Sequence, residues 1–285
     1  MADAGWVQAL QERRAERVRS MRDPQRSPYA AVARSDFSGE APLRFGSAPD
    51  CDVRLDAASA HHVKVRVAGG SFQVDAEDAA ASFRILGAGG AGDGGLRSAR
   101  VAPGALIEIS RYTLRLSHQN FPGVLVLDPQ SPRLASGPPP RWFAPDPAFR
   151  VAAHLARDPA PREEVVLSTR GNKRRALRVG AFVLELQGAR LRLAALRLLE
   201  PGIGEAALSI FFRDRTAGEE TYPVGRYLEP EPVPGAGDEY VLDFNEAYNP
   251  TCAFSPLYNC PIPPRENAIP LPVRAGEMHP HAHDD

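Results

Sequence analysis

The chain reads as a mainly β protein: an N-terminal helix, a first β-sandwich domain, then a second domain built on an antiparallel sheet or barrel. Three observations predict this. Its 285 residues suffice for two domains of ordinary size. Proline numbers 28, about twice the usual ~5% share, and proline breaks helices and central strands. Apolar residues recur with period two in short segments punctuated by Gly and Pro.

The bulk numbers narrow the function classes. Hydrophobic content of 43%, charged content of 24% and a net charge of -1 describe a globular chain with no basic excess for nucleic acid. No run approaches the ~18 apolar residues of a membrane span. Met1 to Met21 is charged and lacks the apolar core of a secretory leader, so a cytoplasmic location is expected. Cys51, Cys252 and Cys260 are too few for a disulfide scaffold.

Residues 1–30 carry one helix, Gly5 to Asp23. Val7, Leu10, Val18 and Met21 share a side, with Trp6 at its edge and Arg14 interrupting the stripe. Asp23-Pro24 stops it. A helix packed across a β domain is expected, rather than a basic partner-binding helix.

Residues 31–127 form the first β domain. Val63-Lys64-Val65-Arg66-Val67 alternates as a half-buried strand, Gly69-Gly70 turns it, and Ser71 to Val74 returns. Gly87 to Gly95 holds six glycines and reads as a flexible loop without phosphate-binding spacing. Leu106 to Ile109 and Tyr112 to Leu116 make a final hairpin. Residues 128–140 read as a Pro-rich linker.

Residues 141–277 form the second β domain, with strands over Glu164–Leu167, Ala181–Leu186, Leu191–Leu193, Leu208–Phe212 and Tyr240–Phe244. Gly188 marks a tight turn. Then comes Asp243-Phe244-Asn245-Glu246-Ala247-Tyr248-Asn249-Pro250-Thr251-Cys252, running on to Cys260-Pro261 and Pro263-Pro264-Arg265-Glu266-Asn267. Prolines forbid regular structure here, so the backbone must be satisfied through side chains, a job suited to Asn and Asp. Residues 278–285 are a His-rich tail able to take up a divalent metal adventitiously.

The first domain resembles a forkhead-associated domain through Phe45-Gly46-Ser47, Asp50 to Leu55 and Ser59-Ala60-His61-His62-Val63. Ser59 and His62 match that family's Ser and His. Ser47 and Ala60 stand where its phosphate-clamping arginines belong, so no phosphothreonine peptide is expected as a partner. His62 is expected to bond the turn backbone. A second resemblance, to an uncharacterised prokaryotic family known as domain of unknown function 1684, spans nearly the whole chain. It rests on Trp6 with Arg13-Arg14, Phe45-Gly46, Leu127-Asp128-Pro129, Phe143 to Asp146, Asp214 to Gly218, Thr221-Tyr222, Gly225 to Leu228, the Asp243 to Asn267 motif and Arg274 to Glu277. It implies a two-part β architecture and no activity.

Chemistry is therefore read from residue types. Asp243, Glu246 and Glu266, with Tyr248, are candidate catalytic groups, because two converging carboxylates would give one a raised pKa. Asp214, Tyr222, Arg226, Asn245, Asn249 and Asn267 are candidate ligand-binding groups; Asp214, Arg226 and the Asp243 motif are expected to meet in space, leaving Arg226 free to pair with a carboxylate of the loop. The plainer reading is that Asp243 and the asparagines cap turns, and that Tyr222, Tyr248 and Tyr258 are core rings. Cys252 and Cys260 lack a matching second pair, so they read as structural thiols and no metal site is expected. No cofactor is implied. The favoured reading is a binding module for a small molecule or peptide at the Asp243 to Asn267 loop. The alternative is a hydrolase-like acid/base enzyme using the same loop.

Overall fold

The computed structural model describes residues 4–87, 95–119, 121–201 and 203–280. The chain divides into two compact units: one comprises Arg22–Gly137 with Glu200–Gly202, and the other joins Met1–Met21 to Pro138–Leu199 and Ile203–Asp285. Helix α1 spans Ala4–Ser20. Leu10 and Met21 of its apolar stripe are buried, and Arg17 and Arg19 in its last turn complement the helix dipole. Among the described residues, no helix is long and apolar enough to cross a membrane.

The Arg22–Gly137 unit carries β1 (Ala31–Asp36), β2 (Leu43–Gly46), β3 (Val53–Arg54), β4 (Val63–Ala68), β5 (Ser71–Ala76), β6 (Arg84–Leu86), β7 (Ser98–Val101), β8 (Leu106–Ile109), β9 (Tyr112–His118) and β10 (Pro122–Leu127). They form two five-stranded sheets, β1-β10-β9-β8-β6 and β3-β2-β4-β5-β7. The inward residues of both sheets meet in one core. Phe45, Val65, Phe72 and Val74 come from one sheet, and Ile107, Leu114, Val124 and Val126 from the other. Alternation dictates this: along β4, Val63 and Val65 are buried while Arg66 is exposed. Gly69 and Gly70 both take positive φ, +51° and +76°, and close the β4–β5 hairpin with Ala68 opposite Ser71. His62 bonds the turn as expected. Its Nδ1 accepts from the Ser59 N–H (3.1 Å) and its Nε2 lies 2.8 Å from the Ser82 carbonyl.

The segment expected as a linker is instead packed into this unit. Asp128 and Ser131 are buried, and the Ser131 hydroxyl donates to the Tyr29 carbonyl (2.6 Å). Pro132 opens a short helix, α2 (Pro132–Ser136). A proline loses nothing at that position, because the first helical N–H has no intrahelical partner anyway.

The other unit carries β11 (Arg150–Leu167), β12 (Lys173–Leu186), β13 (Ala189–Leu198), β14 (Ile210–Phe212), β15 (Arg226–Leu228), β16 (Glu231–Pro232) and β17 (Glu239–Asp243). Five of them form one antiparallel sheet, β13-β12-β11-β17-β16, while β14 and β15 form a separate ribbon. Strand β11 is far longer than the sequence suggests. It carries Pro159 and Pro161 through a bulge between Arg157 and Arg162, where neither need donate to the ladder. Gly180 lies opposite that bulge, and a Cβ there would collide with the Ala156 carbonyl. Phe149, Leu155, Phe182, Leu193, Phe212, Leu228, Leu242 and Phe244 build the core.

After β17 the chain makes 3-10 turns at Phe244–Glu246, Thr251–Ala253 and Arg265–Asn267. Side chains replace the missing ladders. Asn267 Oδ1 accepts from the Ala194 N–H (2.7 Å), and its Nδ2 donates to the Phe211 carbonyl (2.9 Å), so one amide bridges β13 and β14. Arg226 is 1% exposed. Its guanidinium pairs with Asp214 at 2.8 Å and donates to the carbonyls of Val273 (2.8 Å), Glu277 (3.2 Å) and Ala275.

Removing one partner of a buried pair strands the other. Arg226→Ala is therefore expected to destabilise the C-terminal unit by about 3–5 kcal/mol. Asn267→Ala is expected to cost roughly 1–3 kcal/mol, because it leaves buried backbone groups unpaired. Denaturant unfolding followed by circular dichroism checks both.

Candidate ligand site

Helix α1 lies against the turn that follows β17. Trp6 Nε1 donates to Asp243 Oδ2 at 2.6 Å. Asp243 Oδ1 accepts from the N–H and Nδ2 of Asn245 (3.0 and 2.9 Å), and Arg150 lies 3.5 Å from Oδ2. Asn245 in turn exchanges hydrogen bonds with the Asp146 backbone, at 2.9 Å to its N–H and 2.8 Å to its carbonyl. These bonds fix the direction in which the next residues, Glu246 and Tyr248, project.

Three arginines of α1 reach toward that turn. Arg13 pairs with Glu246. Arg17 donates to Glu277 Oε1 (2.9 Å) and to the Asn249 carbonyl (3.2 Å), while Glu277 Oε2 accepts the Asn249 N–H (2.8 Å). Arg14 differs from both. Its Nη atoms donate only to the carbonyls of Phe143 (3.1 Å) and Asn245 (3.4 Å), and its Nε is buried without a hydrogen-bond partner. Its guanidinium stands 5.5 Å over the Trp142 ring, as that of Arg17 stands 5.8 Å over Tyr248. Among the described residues, no carboxylate lies within ion-pair distance of Arg14.

Together these side chains, with Leu10, line a cavity of about 260 Å³. Its lining sets three guanidiniums against the carboxylates of Glu246 and Glu277. Burial lowers the pKa of Arg14, opposed by the fields of Asp243, Glu246 and Glu277. The guanidinium nonetheless stays charged, given the height from which it starts. Burial also raises the pKa of Glu246, opposed by Arg13.

Of the candidate residues, Asn245, Glu246 and Tyr248 line the cavity. Asp243 is 3% exposed and anchors the turn behind it. Asn249 braces the wall through its bonds to Glu277 and to the Met278 carbonyl (2.7 Å). Glu266 pairs with Arg178 and lines no part of the cavity, so it does not join the other two candidate carboxylates, while the charge of Asp243 adds to the raised pKa of Glu246. Each is held by its own cation or donor. Arg226 meets Asp214 as expected and pairs with it, but it does not pair with a loop carboxylate, because Asp214 and the carbonyls of Val273, Ala275 and Glu277 already engage its guanidinium. Asp214 caps its turn, accepting from the Thr216 N–H at 2.8 Å. Tyr222 donates to the Cys252 carbonyl at 3.4 Å. Residues 88–94 of the glycine-rich loop and 281–285 of the His-rich tail lie outside the described residues; His279 is tied by its N–H to Glu220.

Arg13, Arg17, Trp142 and Glu277 enter the site from outside the motif, and Arg14 with them. The signal is present in the sequence: Arg14 spoils an otherwise apolar helix side, and Arg13 and Arg17 are one turn apart on the same face.

The result is a two-unit, mainly β protein whose C-terminal unit frames an arginine-lined cavity. Residues 140–278 match the family described as protein of unknown function (DUF1684). The chain belongs to this family. Trp6, Arg13-Arg14, Phe45-Gly46 and Leu127-Asp128-Pro129 lie outside the matched segment. The chain is similar to an uncharacterised Haloarcula marismortui protein solved by solution NMR: 37% identity over 50% of this chain and 78% of that one, with a TM-score of 0.42. It is also similar to the FhaA FHA domain solved with the intracellular domain of Rv3910, at 14% identity and a TM-score of 0.22, covering 32% of this chain and 84% of that one. An FHA domain studied for phosphothreonine-dependent interactions is similar at 14% identity and a TM-score of 0.22, with coverages of 34% and 95%. No curated protein matches.

The raised pKa of Glu246 has a signed consequence. A carboxyl with a raised folded-state pKa favours the folded state when protonated. Wild-type stability relative to Glu246→Gln should therefore fall as pH rises from the ordinary glutamate range through the raised value, then level off. Paired melts of the two proteins from acid to neutral pH measure this; the opposite slope would mean that Arg13 outweighs burial.

Proposed function

We propose that the C-terminal unit is a binding module for a small anionic molecule carrying a carboxylate or phosphate, held in the cavity beside α1. One observation carries this: Arg14 is a guanidinium at the cavity wall with two backbone carbonyls, an unpartnered Nε and no carboxylate of its own. A guanidinium matches carboxylate and phosphate oxygens in a fixed fork, and a charge-assisted contact is worth more where water is partly excluded. Trp142 and Tyr248 supply flat apolar walls for the rest of the ligand. At about 260 Å³, the cavity sits at the small end of ligand sites.

The acid/base alternative has one observation in its favour, the raised pKa of Glu246. Its would-be partners weigh against it. Asp243 is committed to Trp6 and Asn245, Glu277 to Arg17 and Asn249, and Glu266 to Arg178.

Calorimetric titration with succinate and with inorganic phosphate tests the binding reading. Wild-type protein should bind at least one of them saturably and more weakly at high salt. Arg14→Met should lose ~10-fold or more in affinity, the value of one charge-assisted contact, and Arg14→Lys less. Equal affinity in a folded Arg14→Met protein, or no saturable binding of either anion, overturns it.

A further inference from the structure

Two thiols of the motif segment play no part in the cavity. Cys252 is half-buried and Cys260 is buried, both within a cluster that includes Phe211, Tyr227 and Tyr248. The Cys260 sulfur touches both residues of the Thr251–Cys252 turn. The Cys252 N–H donates to it at 3.3 Å, and the Thr251 hydroxyl lies 3.3 Å from it. Arg174, also buried, adds a positive field. Sulfur is a weak acceptor when neutral. The backbone N–H of Cys252 and the positive field of Arg174 both favour the thiolate form of Cys260.

The two sulfurs are thereby driven apart in character. Cys260 is held below the ordinary thiol range, chiefly by the hydrogen bond from Cys252. Cys252 is pushed above it by the same bond and by burial. Cys51 lacks this arrangement. Its thiol lies 3.3 Å from the Ala60 carbonyl, and burial together with the charge of Asp50 raises its pKa.

We propose that Cys260 and Cys252 form a dithiol–disulfide couple, in which Cys260 is oxidised by a hydroperoxide and Cys252 resolves the product. The Cys260 thiolate attacks the outer peroxide oxygen. An S–O bond forms, the O–O bond breaks, and the alkoxide or hydroxide that leaves takes up a proton. Cys252 then attacks the Cys260 sulfenic sulfur. The S–S bond forms, the S–O bond breaks, and hydroxide departs as water with the Cys252 proton. Two thiols lose two electrons, and the peroxide becomes alcohol, or water, plus water. Two equivalents of a small thiol reverse the couple: the first attacks Cys252, the less buried residue, releasing Cys260 and leaving a mixed disulfide, and the second attacks that mixed disulfide, releasing Cys252 and the small-molecule disulfide.

The test treats the full chain with hydrogen peroxide, quenches, alkylates under denaturing conditions and maps peptides by mass spectrometry. The expected result is loss of alkylation at Cys252 and Cys260 together, with an intramolecular disulfide between them, while Cys51 stays reactive. In Cys252→Ser, dimedone should trap a sulfenic acid at Cys260. In Cys260→Ser, Cys252 should remain reduced. The proposal fails if both thiols of the folded wild-type protein stay alkylatable while glutathione in the same tube is oxidised. It also fails if dimedone labels Cys252 in the Cys260→Ser protein. The wild-type measurement decides alone, so the proposal stays falsifiable even where a variant does not fold.

Discussion

The C-terminal unit depends on one buried cation. Arg226 binds Asp214 and three carbonyls of the segment from Val273 to Glu277. That segment has no sheet to belong to, and its carbonyls would otherwise be buried without donors. Held in this way, it presents Gly276 against the Phe244–Glu246 turn at a point where a Cβ would strike the Phe244 and Ala247 carbonyls. The next residue, Glu277, then takes both Arg17 and the Asn249 N–H. A network far too buried to meet a ligand thus sets the position of a carboxylate that does line the cavity. Burying the pair does not guarantee a net gain in stability, since desolvation offsets much of the attraction. What the network supplies is a single arrangement of chain ends that have no regular structure to define one.

The same logic explains why α1 belongs to this unit. An isolated helix of 17 residues with three arginines along one side is marginal in water. Here Trp6 donates to Asp243, Arg13 and Arg17 find carboxylates, and Leu10 is buried. The exposed members of this set contribute modestly, because surface ion pairs are screened and cost side-chain entropy. The Trp6–Asp243 bond matters more, because Asp243 is nearly inaccessible and also caps the Asn245 turn.

Much of the first unit is legible in the sequence. Val63 to Val67 and the Gly69-Gly70 turn specify a hairpin locally, so no distant information is needed. His62 is legible too, because its partners, Ser59 and Ser82, belong to the turns it joins. The length of β11 is not, because Pro159 and Pro161 look like breaks, and only the bulge facing Gly180 accommodates them. In the second unit the motif stands out in the sequence, but its residue types suggest chemistry they do not perform together. The candidate carboxylates do not form one catalytic cluster, since each faces a cation from a distant element: Arg13 for Glu246, Arg150 for Asp243 and Arg178 for Glu266. Partnerships over such separations leave no local pattern. Arg14 is visible only as a blemish on an apolar stripe.

An irregular segment must turn its polar side chains onto its own backbone, and most of the motif does so. Asn267 bridges two strands, Asn245 completes the Asp146 backbone, and Asp214 caps its own turn. In such a region, richness in Asn and Asp says little about function. The informative groups are those whose donors and acceptors do not match. Arg14 and Arg226 both leave a buried Nε over, but Arg226 has the Asp214 carboxylate and Arg14 has only two backbone carbonyls. Cys260 accepts a backbone N–H at 3.3 Å and lies in the field of Arg174. The two groups invite different partners, an anion for Arg14 and an oxidant for Cys260. They lie on different structural features and call for different chemistry, so the failure of one reading would leave the other standing.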